Sequence, residues 1–283
     1  AALVPRLMRR HRIESVAFLR RLVFRPGDAQ RDLVLGFVQA LTRGPAQDGI
    51  GLPEMLAPGQ TSNDLAMHLR ASVDAPAFVF RAALGRLTEN ARASKRILPH
   101  ESAELILIID QLEELFTLSQ ISAEDRVAFI RLLQGLARSG AVWIVAAMRA
   151  DFWHRILDVP ELVALAQGPG RLEVPPPSPA EIAEMIRKPA QAAGVTFQTH
   201  SQSGLGLDAV LAEHAAREPG VLPLLSFTLD ALYAEDVQKR GGHELTFRKY
   251  EELGGLEGAI AKRADEVVGS LPEKARVAVP RVL

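Results

Sequence analysis

The sequence predicts an α/β protein: a parallel-sheet core over about residues 1–176, followed by a helical region. Three observations predict it. Two apolar runs, Leu105–Ile109 and Val142–Met148, have the unbroken character of strands buried on both faces of a parallel sheet. Between them lies an amphipathic stretch of about four turns, so strand, helix and strand form a βαβ unit with a right-handed crossover. Beyond about residue 176 strand signals vanish and helical periodicity replaces them.

Taken in order, Ala17–Phe24 is apolar but interrupted by Arg20 and Arg21, which predicts a strand at an edge or only half buried. Residues 44–60 carry recurrent Gly and Pro without periodicity and read as a loop. Residues 61–97 read as one or two helices, with Pro76 as the point of interruption. Ser122 and Asp125 open the central helix: the serine can accept a backbone N–H while the acid sits in the positive first turn. Its apolar set is Val127, Ile130, Leu133 and Leu136, and Gly140 follows its end. Arg171–Val174 reads as a short strand stopped by Pro175–Pro177, which cannot continue a ladder. Ser178-Pro179-Ala180-Glu181 combines an N-cap serine, an early proline and a glutamate at the third position, predicting a helix through Ile182, Met185 and Ile186 until Pro189 disturbs it. Asp208–Arg217, Leu222–Tyr233 and Leu256–Leu271 read as further helices.

Composition narrows the functional classes. At 283 residues the chain is long enough for about two domains, and 48% hydrophobic with 24% charged residues is ordinary for a folded protein. The absence of cysteine excludes disulfides, cysteine-ligated metals and thiol nucleophiles. The longest apolar run, Ala141–Met148, falls far short of the ~18 residues of a membrane span, and no secretion signal opens the chain. A cytoplasmic location is therefore expected. Lys plus Arg (33) balances Asp plus Glu (34), so global charge does not advertise a nucleic-acid partner. The distribution is uneven: residues 1–31 hold eight arginines, whereas residues 101–125 hold seven acids and no Lys or Arg. Ala1 is not an initiator methionine and Val279–Leu283 stops within an apolar pattern, so both ends read as cut from a longer chain.

Chemistry is expected at two strand ends. The run Leu105–Ile109 delivers Asp110 at its carboxyl end, where ligands bind in open α/β sheets. An apolar strand followed by aspartate is the Walker B arrangement, in which the acid meets magnesium on nucleotide phosphates. Glu113 and Glu114 follow within one turn, and either could orient or deprotonate a water. The competing reading is an acidic helix N-terminus that complements the helix dipole. The second strand ends in Arg149, on the rim expected to hold Asp110, where a guanidinium can contact a terminal phosphate. A salt bridge to Asp110 or Glu113 is its alternative. No G-x-x-x-x-G-K-[ST], G-x-G-x-x-G or G-x-S-x-G occurs, and the seven histidines lack metal-ligand spacing.

The segment Ile108–Phe116 (IIDQLEELF) resembles the extended Walker B of the STAND signalling NTPases, specifically the first group of novel STAND NTPases. It is joined in order by Phe24-Arg25-Pro26-Gly27-Asp28, Arg149-Ala150-Asp151-Phe152, Val174-Pro175-Pro176, Gly220–Leu225 and Tyr250–Leu256. The resemblance implies a P-loop NTPase core of the ASCE type (residues 1–176), a helical lid (177–243) and the start of a winged-helix-like region (244–283). It implies that Asp110 holds magnesium through water, that Glu113 and Glu114 form the catalytic acidic pair with Glu114 the first choice for water activation, and that Arg149 senses the γ-phosphate. Pro223 would pack near the adenine, with Gly220 permitting the turn before its helix.

Cofactors implied are Mg2+ and ATP or GTP in an intact bacterial regulator, a nucleotide-dependent switch. Its partners would be effector and sensor domains of the same polypeptide (kinase-like, protease-like or WD-repeat), with possible homo-oligomers on activation and no nucleic acid or membrane for this segment. Ala1–Leu7 resembles the helix after the phosphate loop. The first strand and the phosphate-loop lysine are therefore expected to be missing, and these residues alone are expected to bind nucleotide poorly and not to hydrolyse it. Two other readings stand beside the switch: a degenerate NTPase fold used as an interaction scaffold, and a DNA-binding regulator, against which the neutral charge balance weighs.

Overall fold

The computed structural model describes residues 16–29, 31–43, 49–71, 75–167, 170–217 and 220–276. Ala1–Leu7 and Val279–Leu283, singled out in the sequence, lie outside them. The chain divides into two compact units, one ending at Leu172 and one beginning at Glu173.

The first unit is built on three parallel strands, β1 (Val16–Phe24), β2 (Ser102–Ile109) and β3 (Trp143–Ala146), in the order β1-β2-β3. The register aligns Val23, Ile108 and Val145 in one row, and Phe24, Ile109 and Ala146 in the next. Because side chains alternate across a strand, Leu105, Leu107 and Ile109 all point to one face, where each is fully buried. Helices α1 (Leu33–Thr42), α2 (Ser62–Ala71) and α3 (Ala75–Ala93) add Phe37, Leu65 and Phe80 to that core. A single turn, α4 (Glu114–Thr117), follows β2, and α5 (Ala123–Ser139) completes the crossover to β3. Phe24, Phe37 and Phe129 meet at centroid distances of 5.4–5.7 Å, joining β1, α1 and α5 through edge-on and tilted ring contacts. Short helices α6 (Trp153–Leu157) and α7 (Pro160–Ala166) close the unit.

The helix boundaries follow their capping residues. Asp32 accepts the Leu35 N–H at 2.8 Å to start α1, and Ser122 accepts the Asp125 N–H at 3.1 Å to start α5. Gly140 ends α5 at φ +63°, a left-handed conformation that glycine adopts without steric cost.

Two strand expectations are corrected. The sequence places β3 in a doubly buried setting, but Trp143 is 52% and Val145 38% exposed. β3 is an edge strand, and the face opposite the core is open along its row to Val23, so an apolar run here does not mean burial on both sides. Arg171–Val174 is not a strand; the chain from 171 to 178 has no regular structure, and Leu172 is 85% exposed. β1 lies at the sheet edge, as expected, and its Arg20 is buried there by an ion pair with Glu54 at 3.0 Å. The outer edge of β1 is covered by a loop that exchanges Arg21 N–H to Gly49 O and Gly51 N–H to Arg21 O.

The second unit is helical, with α8 (Pro179–Ala192), α9 (Leu207–Arg217), α10 (Leu222–Leu232), α11 (Phe247–Glu252), α12 (Gly255–Ser270) and α13 (Glu273–Arg276). Ser178 and Glu181 form the expected reciprocal cap of α8, which continues past Pro189 to Ala192 rather than breaking there. Its core gathers Ile182, Ile186, Leu207, Leu211, Leu225, Leu232 and Leu245. Strand signal does not vanish completely: two-residue strands β4 (Thr196–Phe197) and β5 (Glu244–Leu245) pair in parallel, too short to leave a period-2 pattern. From Tyr233 to Lys239 the chain leaves α10 as a π-helix. Among the described residues, no helix is long and apolar enough to cross a membrane.

Candidate functional site

All three strands of the first unit run in the same direction, so their carboxyl ends share one rim. β1 ends at Phe24 and hands over to Arg25; β2 ends at Ile109 and hands over to Asp110. The ladder continues one step past the strands. The Asp110 N–H donates to Phe24 O at 2.9 Å, and the Ala147 N–H donates to Ile109 O at 2.8 Å. Gln111 then takes φ +56°, unusual for a residue with a β-carbon, and the sharp turn brings the Leu112 N–H to Ala147 O at 2.9 Å. Backbone hydrogen bonds thus tie the segment after β2 to both neighbouring strands.

The side chains at this rim are held individually. Asp110 is partly exposed, and its Oδ2 lies 3.2 Å from Arg25 Nε. Glu113 is buried at 8% exposure, with Oε2 accepting the Arg149 N–H at 3.3 Å. Glu114 reaches back to the turn after β1, where Oε2 accepts the Gly27 N–H at 2.7 Å. That turn is closed by Asp28 N–H to Arg25 O and Ala29 N–H to Pro26 O. A β-carbon on Gly27 would stand 2.9 Å from Glu114 Oε2, so glycine is what permits the carboxylate to approach this closely. The Arg25-Pro26-Gly27-Asp28 turn and the Asp110–Glu114 turn are therefore clasped at two points.

Arg149 belongs to the same rim through its backbone contact with Glu113. Its guanidinium, however, engages Asp151, with Nε–Oδ1 at 3.1 Å and Nη2–Oδ2 at 2.7 Å. This two-point pair raises the Arg149 pKa and lowers that of Asp151, hydrogen bonding being the larger cause for each. Of the expected site residues, Asp110, Glu113, Glu114 and Arg149 are thus gathered at one end of one sheet. Gly220 and Pro223 lie in the second unit: Gly220 has φ +97°, a conformation that calls for glycine, and Pro223 sits in the first turn of α10, where its missing N–H costs nothing. A separate cavity of about 440 Å3 lies in the first unit against Trp153, Ile156, Leu157, Val163, Ala166 and Arg171, and none of the expected site residues lines it.

Sequence reasoning passed over Arg25 and Gly27 as site residues. The signal was present, because Arg25 follows β1 just as Asp110 follows β2, but nothing in the sequence shows that the two strands are neighbours and so bring these residues together.

Among the described residues, no cluster of three or more His, Cys, Asp or Glu could by itself hold a metal ion. Mg2+ does not need one: it retains several waters and commonly takes one or two carboxylates plus substrate phosphates. Asp110, an accessible carboxylate with a fixed backbone, fits that demand.

A protein-family model described as Novel STAND NTPase 1 matches residues 31–283, a span that includes Asp110, Glu113, Glu114, Arg149, Gly220 and Pro223 and begins after Arg25 and Gly27. No curated protein and no solved structure gives a significant match.

Proposed function

We propose that this chain, which belongs to the Novel STAND NTPase 1 family, is the NTPase domain of a nucleotide-dependent switch within a multidomain bacterial signalling regulator. The observation that carries the proposal is the shared rim: parallel strands that end in Asp110 and lead to Arg149, with Glu113 and Glu114 folded back beside them. Such a rim is where open α/β sheets take their ligands.

Asp110 would hold Mg2+ through water. Bound there with ATP or GTP, the ion would neutralise phosphate charge. Glu114 is the first choice for orienting the attacking water, since its grip on the Gly27 N–H holds the carboxylate at the rim. Glu113, buried against the Arg149 N–H, would maintain the spacing between the two strand ends. Arg149 would read the terminal phosphate, exchanging Asp151 for a stronger, doubly charged acceptor. Nucleotide roles for Gly220 and Pro223 belong to the same proposal and rest on the family resemblance.

The sequence contains no G-x-x-x-x-G-K-[ST] phosphate loop. We therefore expect residues 1–283 alone to hold nucleotide weakly; micromolar ATP binding by this chain, lost on Asp110→Ala, would overturn that part. The switch itself is tested by limited proteolysis of the intact regulator. ATP should change cleavage within residues 176–220, because a ligand shifts a conformational equilibrium only as far as it prefers one state. Identical digestion with and without ATP would contradict the switch. The scaffold reading draws on one observation: Arg25, Asp110, Glu113, Glu114 and Arg149 all pair with groups of the chain itself.

A further inference from the structure

We propose that Arg25 is the resident counter-charge of Asp110, displaced when a divalent cation reaches that carboxylate, so that Arg25 sets the cation concentration at which the site fills. The inference rests on the reading of Asp110 as the cation-facing carboxylate.

The geometry is specific. Phe24 and Ile109 are register partners, so Arg25 and Asp110 leave neighbouring strands side by side, and the Asp110 N–H to Phe24 O bond fixes that adjacency. Arg25 Nε lies 3.2 Å from Asp110 Oδ2. The backbone turn that bears Arg25 is anchored by the Gly27 N–H to Glu114 Oε2 bond, which keeps the residue beside the end of β2. Both side chains are partly exposed, 50% and 37%, so exchange needs no opening of the core. A divalent cation and a guanidinium compete for the same carboxylate charge and repel one another when both are near it. An ion pair of this exposure is weak, so its removal should lower the cation threshold by about fivefold and not by orders of magnitude.

The test uses Mn2+ alone as the probe, added to the 15N-labelled 283-residue chain, and reads paramagnetic broadening of the Asp110 and Gln111 amide signals. Arg25→Ala should reach half-broadening at about one fifth of the wild-type Mn2+ concentration. Arg25→Lys, which keeps the charge, should stay at the wild-type threshold, and Asp110→Asn should abolish the selective broadening. Arg25→Ala titrating like wild type while Asp110→Asn abolishes broadening would overturn the role of Arg25 and leave Asp110 as the cation carboxylate. Arg25→Lys shifting as far as Arg25→Ala would overturn charge exchange in favour of a packing role. Unchanged broadening in Asp110→Asn would instead overturn the reading of Asp110 itself, and this inference with it.

Discussion

Glu114 shows how one residue can serve the fold and the site together. Its carboxylate accepts the Gly27 N–H at 2.7 Å, tying the turn after β1 to the turn after β2. Gly27→Ala should displace that carboxylate and cost about 1 kcal/mol, the usual net worth of such a hydrogen bond, read as a shift in urea midpoint. An unchanged midpoint would mean the clasp is idle. A second residue-scale prediction concerns pH. Hydrogen bonds from Lys239 and then Lys249 lower the Glu235 pKa from 4.5 to about 2. Since the folded-state value lies below the unfolded one, this stabilisation is complete above about pH 4.5 and is lost as pH falls toward 2. Thermal melts across that window should therefore fall less steeply for Glu235→Gln than for wild type. At this scale the sequence exposed Asp110 well, because a charge terminating an unbroken apolar run is conspicuous. Arg25 follows a strand end just as visibly, but only the pairing of β1 with β2 shows that it meets Asp110, while Arg20 is a buried partner of Glu54.

Among the elements, helices were legible wherever their ends carry chemistry. Ser178 with Glu181 and Ser122 with Gly140 each bound a helix in the places their side chains dictate. Ser178→Ala should cost about 1 kcal/mol of stability, measurable by chemical denaturation, because it removes one partner of a reciprocal cap. Strands were less legible, since periodicity reports a residue's preference and not its cover: Leu105–Ile109 and Val142–Met148 look alike, yet one lies centrally and the other forms an edge. The π-helix at Tyr233–Lys239 left no trace in the pattern. Its buried Asp236 accepts both the Thr246 N–H at 2.8 Å and the Thr246 hydroxyl at 3.0 Å, joining that segment to the start of α11. Asp236→Ala removes the acceptor of both partly buried donors and should cost about 1–3 kcal/mol, against a smaller loss for Asp236→Asn, which can still accept.

For the whole molecule, the division at Leu172 and Glu173 falls in an extended, exposed stretch leading into three prolines. Backbone without secondary structure and with exposed side chains is what proteases cut first. Brief trypsin treatment should therefore cleave after Arg171 early and leave two resistant fragments; initial cleavage inside α5 or α9 would contradict the two-unit organisation. The arrangement of three parallel strands also explains why the place of the candidate site was more readable than fold detail. Parallel strands converge their ends, so any charge that stops an apolar run is delivered to a common place whatever the exact burial of each strand. The central claim is that this place binds a cation with a polyphosphate. It is tested most directly by calorimetric titration of MgATP into the intact regulator and its Asp110→Ala variant. Loss of about tenfold or more in affinity on removing the carboxylate is the predicted result; equal affinity in the two proteins would contradict it.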